Sequence, residues 1–142
     1  MYFAERIVIP YEPRVVVFFA GDNDLAGVKT SEQVVGDFQE FVKKIHGKLP
    51  EARLLFIAIK PSPSRWKIIE KQRAANELIR KFCEADKRLN FVDVVPKMLS
   101  EEGQPRAELF LKDQLHMNAD GYRLGTELVK PHITAGLKPA VP

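Results

Sequence analysis

The run Arg14-Val15-Val16-Val17-Phe18-Phe19-Ala20-Gly21-Asp22-Asn23-Asp24 passes directly from an uncharged apolar segment to a compact polar turn. Six consecutive apolar residues, rich in Val and Phe, are too few for an ordinary helix and too apolar for a loop, so they predict a strand buried on both faces. Gly21 permits a sharp exit from that strand. The polar Asp-Asn-Asp turn then stands at the carboxyl edge of a sheet, where open α/β folds place their ligand chemistry.

Working outward, the residues before this strand (Tyr2, Phe3, Ile7, Ile9) form a short amphipathic stretch stopped by Pro10 and Pro13, the tail of a preceding element. After the strand, Thr30-Ser31-Glu32-Gln33 fits a capping box, and Ser31 itself reads as a capping residue. Val34, Val35, Phe38, Phe41, Val42 and Ile45 then recur at helical spacing. Residues 54–59 predict a second strand, which leaves through Lys60-Pro61-Ser62-Pro63-Ser64, a loop because two prolines forbid regular structure. A helix over 66–85 follows, with Ile69, Ala74, Leu78, Ile79 and Phe82 inward, then a third strand over 91–95. An irregular stretch leads to Asp113-Gln114-Leu115-His116, and a last helix starts at an Asn118 N-cap with Tyr122, Leu128, Val129 and Ile133 inward. Strands alternating with helices predict a doubly wound α/β domain with a parallel sheet and right-handed crossovers. Every strand exit then faces one edge.

Composition narrows what that edge can do. The 142 residues, 45% hydrophobic and 29% charged, suit one domain over 1–142 with an ordinary core. The net charge of +3 comes from basic residues spread over two predicted helices among Glu70, Glu77, Glu84 and Asp86, a solvated pattern without interleaved aromatics, so nucleic acid is not an expected partner. No run approaches the length of a membrane span, and Glu5 and Arg6 interrupt the N-terminus where a signal peptide is apolar, which makes a cytoplasmic location the expectation. The single Cys83, beside Leu78, Ile79 and Phe82, reads as a core thiol.

An Asp three residues before a His in a loop can fold so that its carboxylate accepts from one imidazole nitrogen and leaves the other as a base. An Asn at a strand exit supplies amide donors of the kind an oxyanion requires. Together, residues 15–24 and the run Leu111-Lys112-Asp113-Gln114-Leu115-His116-Met117-Asn118-Ala119-Asp120-Gly121-Tyr122 resemble the third (G-x-N-D) and fifth (D-x-x-H) blocks of the SGNH, or GDSL-type, esterases and acylhydrolases. The resemblance covers essentially the whole chain. It implies a flavodoxin-like three-layer α/β/α fold, a small-molecule ester substrate, no cofactor and no metal, with Asn23 as oxyanion donor alongside Gly21, His116 as general base and Asp113 as its orienting partner.

The departures from the family pattern are equally specific. The Gly-Asp-Ser block that carries the family's nucleophile does not occur here, and the chain reads as a member missing its first strands at the N-terminus. Ser62 and Ser64, in the proline loop on the same edge, are the only substitutes in reach; Ser64-Arg65-Trp66-Lys67 satisfies S-x-x-K, a motif that means little without its companions. Without a neighbouring first strand, residues Val15-Val16-Val17-Phe18-Phe19-Ala20 become an unprotected sheet edge, which predicts a homo-oligomer joined there. Three readings follow: an ester hydrolase whose nucleophile comes from an unusual position, from a partner chain or from water activated directly by His116; a catalytically silent domain that binds a ligand or partner; and a Mg²⁺-dependent phosphoryl-transfer site on Asp22 and Asp24.

Overall fold

The computed structural model describes residues 3–135. In chain order it runs α1 (Ala4–Ile7), a 3₁₀ turn (Ile9–Tyr11), β1 (Val15–Phe18), α2 (Asp22–Ala26), α3 (Ser31–His46), β2 (Arg53–Ile57), a 3₁₀ segment (Pro63–Ile68), α4 (Ile69–Glu84), β3 (Leu89–Val92), α5 (Val95–Met98), a 3₁₀ turn (Ala107–Leu109) and α6 (Ala119–Ala135). The three strands form one parallel sheet in the order β1-β2-β3. Val15 faces Arg53 and Phe18 faces Phe56 across the first pair; Leu54 faces Leu89 and Ile57 faces Val92 across the second.

Alternation along each strand sends its side chains into two separate cores. On one face Val16, Phe18, Leu54 and Phe56 meet the inner stripes of α3 and α4, and on the other Val15, Leu55, Ile57 and Val92 meet α5 and α6. Phe18, Phe38, Phe41 and Phe56 form an aromatic cluster with ring centroids 4.7–5.7 Å apart. Each such ring taken from water contributes about 2–3 kcal/mol, and favourable ring geometry adds about 1 kcal/mol per pair.

Two long helices cover the first face, but among the described residues α6 is the one long helix on the second, beside the short α5, and it lies against β3. The second face of β1 is therefore largely uncovered. Val17 is 42% exposed and Phe19 45% exposed, while Val16 and Phe18 are half-buried on the other face, so the strand expected to be buried on both faces is packed mainly on one and stands at the edge of the sheet. It also ends at Phe18 rather than Ala20, because the chain turns immediately into α2 and the polar Asp22-Asn23-Asp24 becomes the first turn of a helix.

Other expectations shift by smaller amounts. β3 starts at Leu89 and is over by Val92; Asp93 Oδ1 then accepts from the Val95 N–H, and Pro96, tolerated in a first helical turn, opens α5 where strand was expected. The segment from Pro63 to Ile68 winds as 3₁₀, so α4 begins at Ile69. Its inner face is rotated from the apolar pattern: Ala74 and Leu78 are exposed, whereas Gln72, Ala75, Asn76, Ile79 and Cys83 are buried. The polar pair wins this place by bonding. Asn76 accepts from the Ile59 N–H (2.8 Å) and donates to the Ile59 carbonyl (2.9 Å), satisfying both backbone groups of a residue at the exit of β2.

Thr30 and Gln33 form the reciprocal capping box, but Ser31 is no cap; its hydroxyl donates to the Lys71 carbonyl at 2.8 Å and ties α3 to α4. Asn118 caps α6 as expected, accepting from the Asp120 and Gly121 N–H groups. Tyr122, expected inward, is 60% exposed. Gly121 takes the buried place beside it, because a Cβ there would stand 2.5 Å from the Leu109 carbonyl. Cys83 is buried, and desolvation pushes its thiol up to about 12, which makes it an inert packing group.

Candidate active site

Three segments meet at the carboxyl edge of the sheet. The first is the β1–α2 junction. Gly21 has φ +105°, and a Cβ there would lie 2.9 Å from Val34 Cγ1 and 3.0 Å from Ile59 Cδ1, so both conformation and space require glycine. The tight turn lifts Asn23 onto the surface one residue beyond Asp22.

The second segment is the loop that carries Asp113 and His116. It is closed at its base by the Phe110–Met117 bridge and by the Leu111 N–H donating to the His116 carbonyl at 2.7 Å. Within it, Gln114 adopts φ +57°, and Asp113 Oδ1 accepts from the N–H groups of Leu115 (2.9 Å) and His116 (3.0 Å). Asp113 Oδ2 takes the remaining bond, from His116 Nδ1 at 2.6 Å. These bonds, the imidazole one foremost, hold the Asp113 carboxyl at about 2, well below the usual carboxylate range. With Nδ1 engaged, His116 has Nε2 left for chemistry.

The third segment is the exit of β2. Lys60, only 6% exposed, donates from Nζ to Asp22 Oδ2 (3.2 Å) and to the Leu115 carbonyl (2.9 Å). Arg65 lies against the same carboxylate, with Nη1 2.8 Å from Asp22 Oδ1 as an ion pair, while its Nη2 donates to Asn23 Oδ1 at 2.6 Å. Gln72 Nε2 donates to Asp22 Oδ1 at 3.0 Å, and the Ser64 N–H donates to the Gln114 carbonyl at 3.1 Å.

Gly21, Asn23, Lys60, Leu115 and His116 line one cleft of about 310 Å³. Asn23 and the Asp113–His116 pair, more than 90 residues apart in sequence, thus share one opening. Ser62 and Ser64 do not line it. Ser62 is fully buried and its Oγ has no hydrogen-bond partner, while Ser64 enters the site through its backbone. Asp22 is matched by Lys60 and Arg65, and Asp24 by Lys29 at 2.9 Å, so both carboxylates considered for Mg²⁺ are ion-paired to the protein's own cations. Lys60, Arg65, Gln72 and Asn76 escaped the sequence reading. Their only signals there are a charge directly after an apolar run and polar residues four apart on an inner helical stripe.

The family model for the GDSL-like lipase/acylhydrolase family matches residues 2–124, and the chain belongs to that family. Platelet-activating factor acetylhydrolase IB subunit alpha1 of Homo sapiens is 30% identical over 115 residues, which cover 78% of this chain and 47% of that protein. The chain therefore spans about half the length of the curated relatives it matches. A GDSL-like lipase from Bacteroides thetaiotaomicron shares the fold with a TM-score of 0.76 at 23% identity, over 95% of this chain and 68% of that one. A carbohydrate esterase family 3 structure from Talaromyces cellulolyticus superposes with a TM-score of 0.76 at 17% identity, over 94% of this chain and 66% of that one. The helices on both faces of a parallel sheet match the α/β fold of these neighbours. Among the described residues, no helix is long and apolar enough to cross a membrane.

Proposed function

We propose that this chain carries the proton-transfer and oxyanion half of an ester-hydrolysing site, acting on a small-molecule acyl ester. The observation that carries the reading is the 2.6 Å Asp113–His116 pair opening onto the same cleft as Asn23. In the proposed reaction His116 Nε2 takes the proton of the attacking hydroxyl and returns it to the leaving alkoxide. Asp113 holds the ring and stabilises the imidazolium formed between those steps. Arg65 occupies Asn23 Oδ1, so the Asn23 Nδ2 donor is the end left for the carbonyl oxygen as it becomes negative, with the Gly21 turn beside it.

The attacking hydroxyl comes from outside the described residues in this reading, because no serine lines the cleft. Water activated directly by His116 Nε2, or a hydroxyl of a partner chain docked on the exposed second face and edge of β1, is the proposed source. A cytoplasmic setting, which keeps the lone Cys83 reduced, completes the proposal.

Hydrolysis of p-nitrophenyl acetate tests it. His116→Ala is expected to lower the rate by about 10²–10⁴-fold and Asn23→Ala by about 10²-fold or more. Ser62→Ala and Ser64→Ala are expected to leave it unchanged. Equal background rates in wild type and His116→Ala favour the second reading, a silent binding module, whose supporting observation is the same serine-free cleft.

A further inference from the structure

We propose that Lys60, acting through Asp22 and Arg65, is a positioning residue that locks the Asn23 end of the site to the Asp113–His116 loop. The proposal rests on the functional reading above, but its test does not depend on catalysis.

An ordinary buried ion pair needs one acceptor. Lys60 has two, on different segments: the Asp22 carboxylate on α2, 38 residues away in sequence, and the Leu115 carbonyl, 55 residues away. Its ammonium is almost wholly removed from water and sits 5.6 Å from the centre of the Phe110 ring, at the base of the same loop. Burying a lysine so deeply is costly unless the charge is matched and its N–H groups are used. Here those bonds reach the Leu115 carbonyl, so displacement of the ammonium moves the peptide whose His116 N–H is one of Asp113's donors.

The other end of the device acts on Asn23. Arg65 spans Asp22 and Asn23 Oδ1, and by binding the oxygen of the amide it fixes which end of that amide can donate. Asp22 is the common point, held by Lys60, Arg65 and Gln72 together. Lys60 and Arg65 both face the Asp22 carboxylate, so that carboxylate is fully matched where it borders the cleft.

Backbone amide hydrogen exchange, read residue by residue by NMR on the full chain, tests the coupling. In Lys60→Met, Asp22 keeps Arg65 and Gln72, so the fold is expected to persist. The Leu115 and His116 amides, which donate to Asp113, are expected to exchange at least ~10-fold faster, with β2 and α4 amides unchanged. Lys60→Arg, which restores the charge and donors, is expected to recover part of the protection. A folded Lys60→Met with wild-type exchange at Leu115 and His116 overturns the proposal. Should Lys60→Met fail to fold, Asp22→Asn serves in its place: it weakens the other anchor of Lys60 and is expected to speed the same two amides, and unchanged exchange there overturns the proposal equally. Loss of esterase activity without a change in coupling, or the reverse, separates failure of this proposal from failure of the functional reading.

Discussion

Asp113 shows how far a single residue's surroundings can be read as chemistry. Its carboxylate accepts from one imidazole nitrogen and two backbone N–H groups, and every one of those bonds favours the charged form. Because its folded-state pKa is lowered, the stabilisation it gives the loop is complete above the ordinary carboxylate pKa and is lost as pH falls through the folded value. Titration of the Asp113 carboxyl by NMR is therefore expected to show a midpoint of about 2, with the loop's amides losing protection between about pH 4 and about pH 2. A midpoint near 4 refutes the bonded geometry. Asp113 and His116 were legible in the sequence because a spacing of three lets both act within one turn of chain. Lys60 and Arg65 were not legible, since the partners that give them meaning lie 38 to 55 residues away.

Among the elements, α4 departs most from its apolar pattern. Leu78 and Ala74 suggested one inner face, yet two amide side chains occupy the core side because Asn76 satisfies both backbone groups of Ile59 and Gln72 donates to the Asp22 carboxylate. Asn76→Ala leaves both the N–H and the carbonyl of Ile59 buried without partners, at a cost of about 2–4 kcal/mol. Chemical denaturation is expected to show that loss. Arg73→Ala, which breaks an exposed pair with Glu70 and a cation–π contact with the Trp66 ring, is expected to stay within about 1 kcal/mol of wild type. A small effect at Asn76 contradicts its role as the clamp on the exit of β2. Helix and strand existence followed from periodicity, whereas the phase of α4 followed from bonds that periodicity does not encode.

For the molecule as a whole, asymmetric coverage of the sheet is the main fact. One face has two long helices, while the other has α6 set against β3, which leaves a largely apolar groove of about 360 Å³ bounded by Phe19, Ile57, Met98 and Val129. That groove shares Phe19, Lys60, Met117 and Tyr122 with the candidate site, so whatever covers it also closes the cleft. The free edge of β1 adds unpaired backbone groups to the same region. Light scattering at micromolar concentration is expected to give a dimer or larger assembly. Val17→Lys, at a position already 42% exposed, is expected to shift it toward monomer without unfolding it. A monomeric wild type refutes association through this edge.

The alternation of strands and helices, the glycine at the exit of β1, the capping of α3 and α6, and the Asn and Asp-x-x-His motifs are all legible in the residues alone. These are local: they depend on periodicity, on turn chemistry and on residues a few positions apart. Assembly of the sheet is what leaves one face of β1 largely uncovered, seals Ser62 in the interior, and brings Lys60 and Arg65 between the two halves of the site. Those outcomes depend on which surfaces another element covers and on bonds between distant segments, and both exist only after the sheet has assembled.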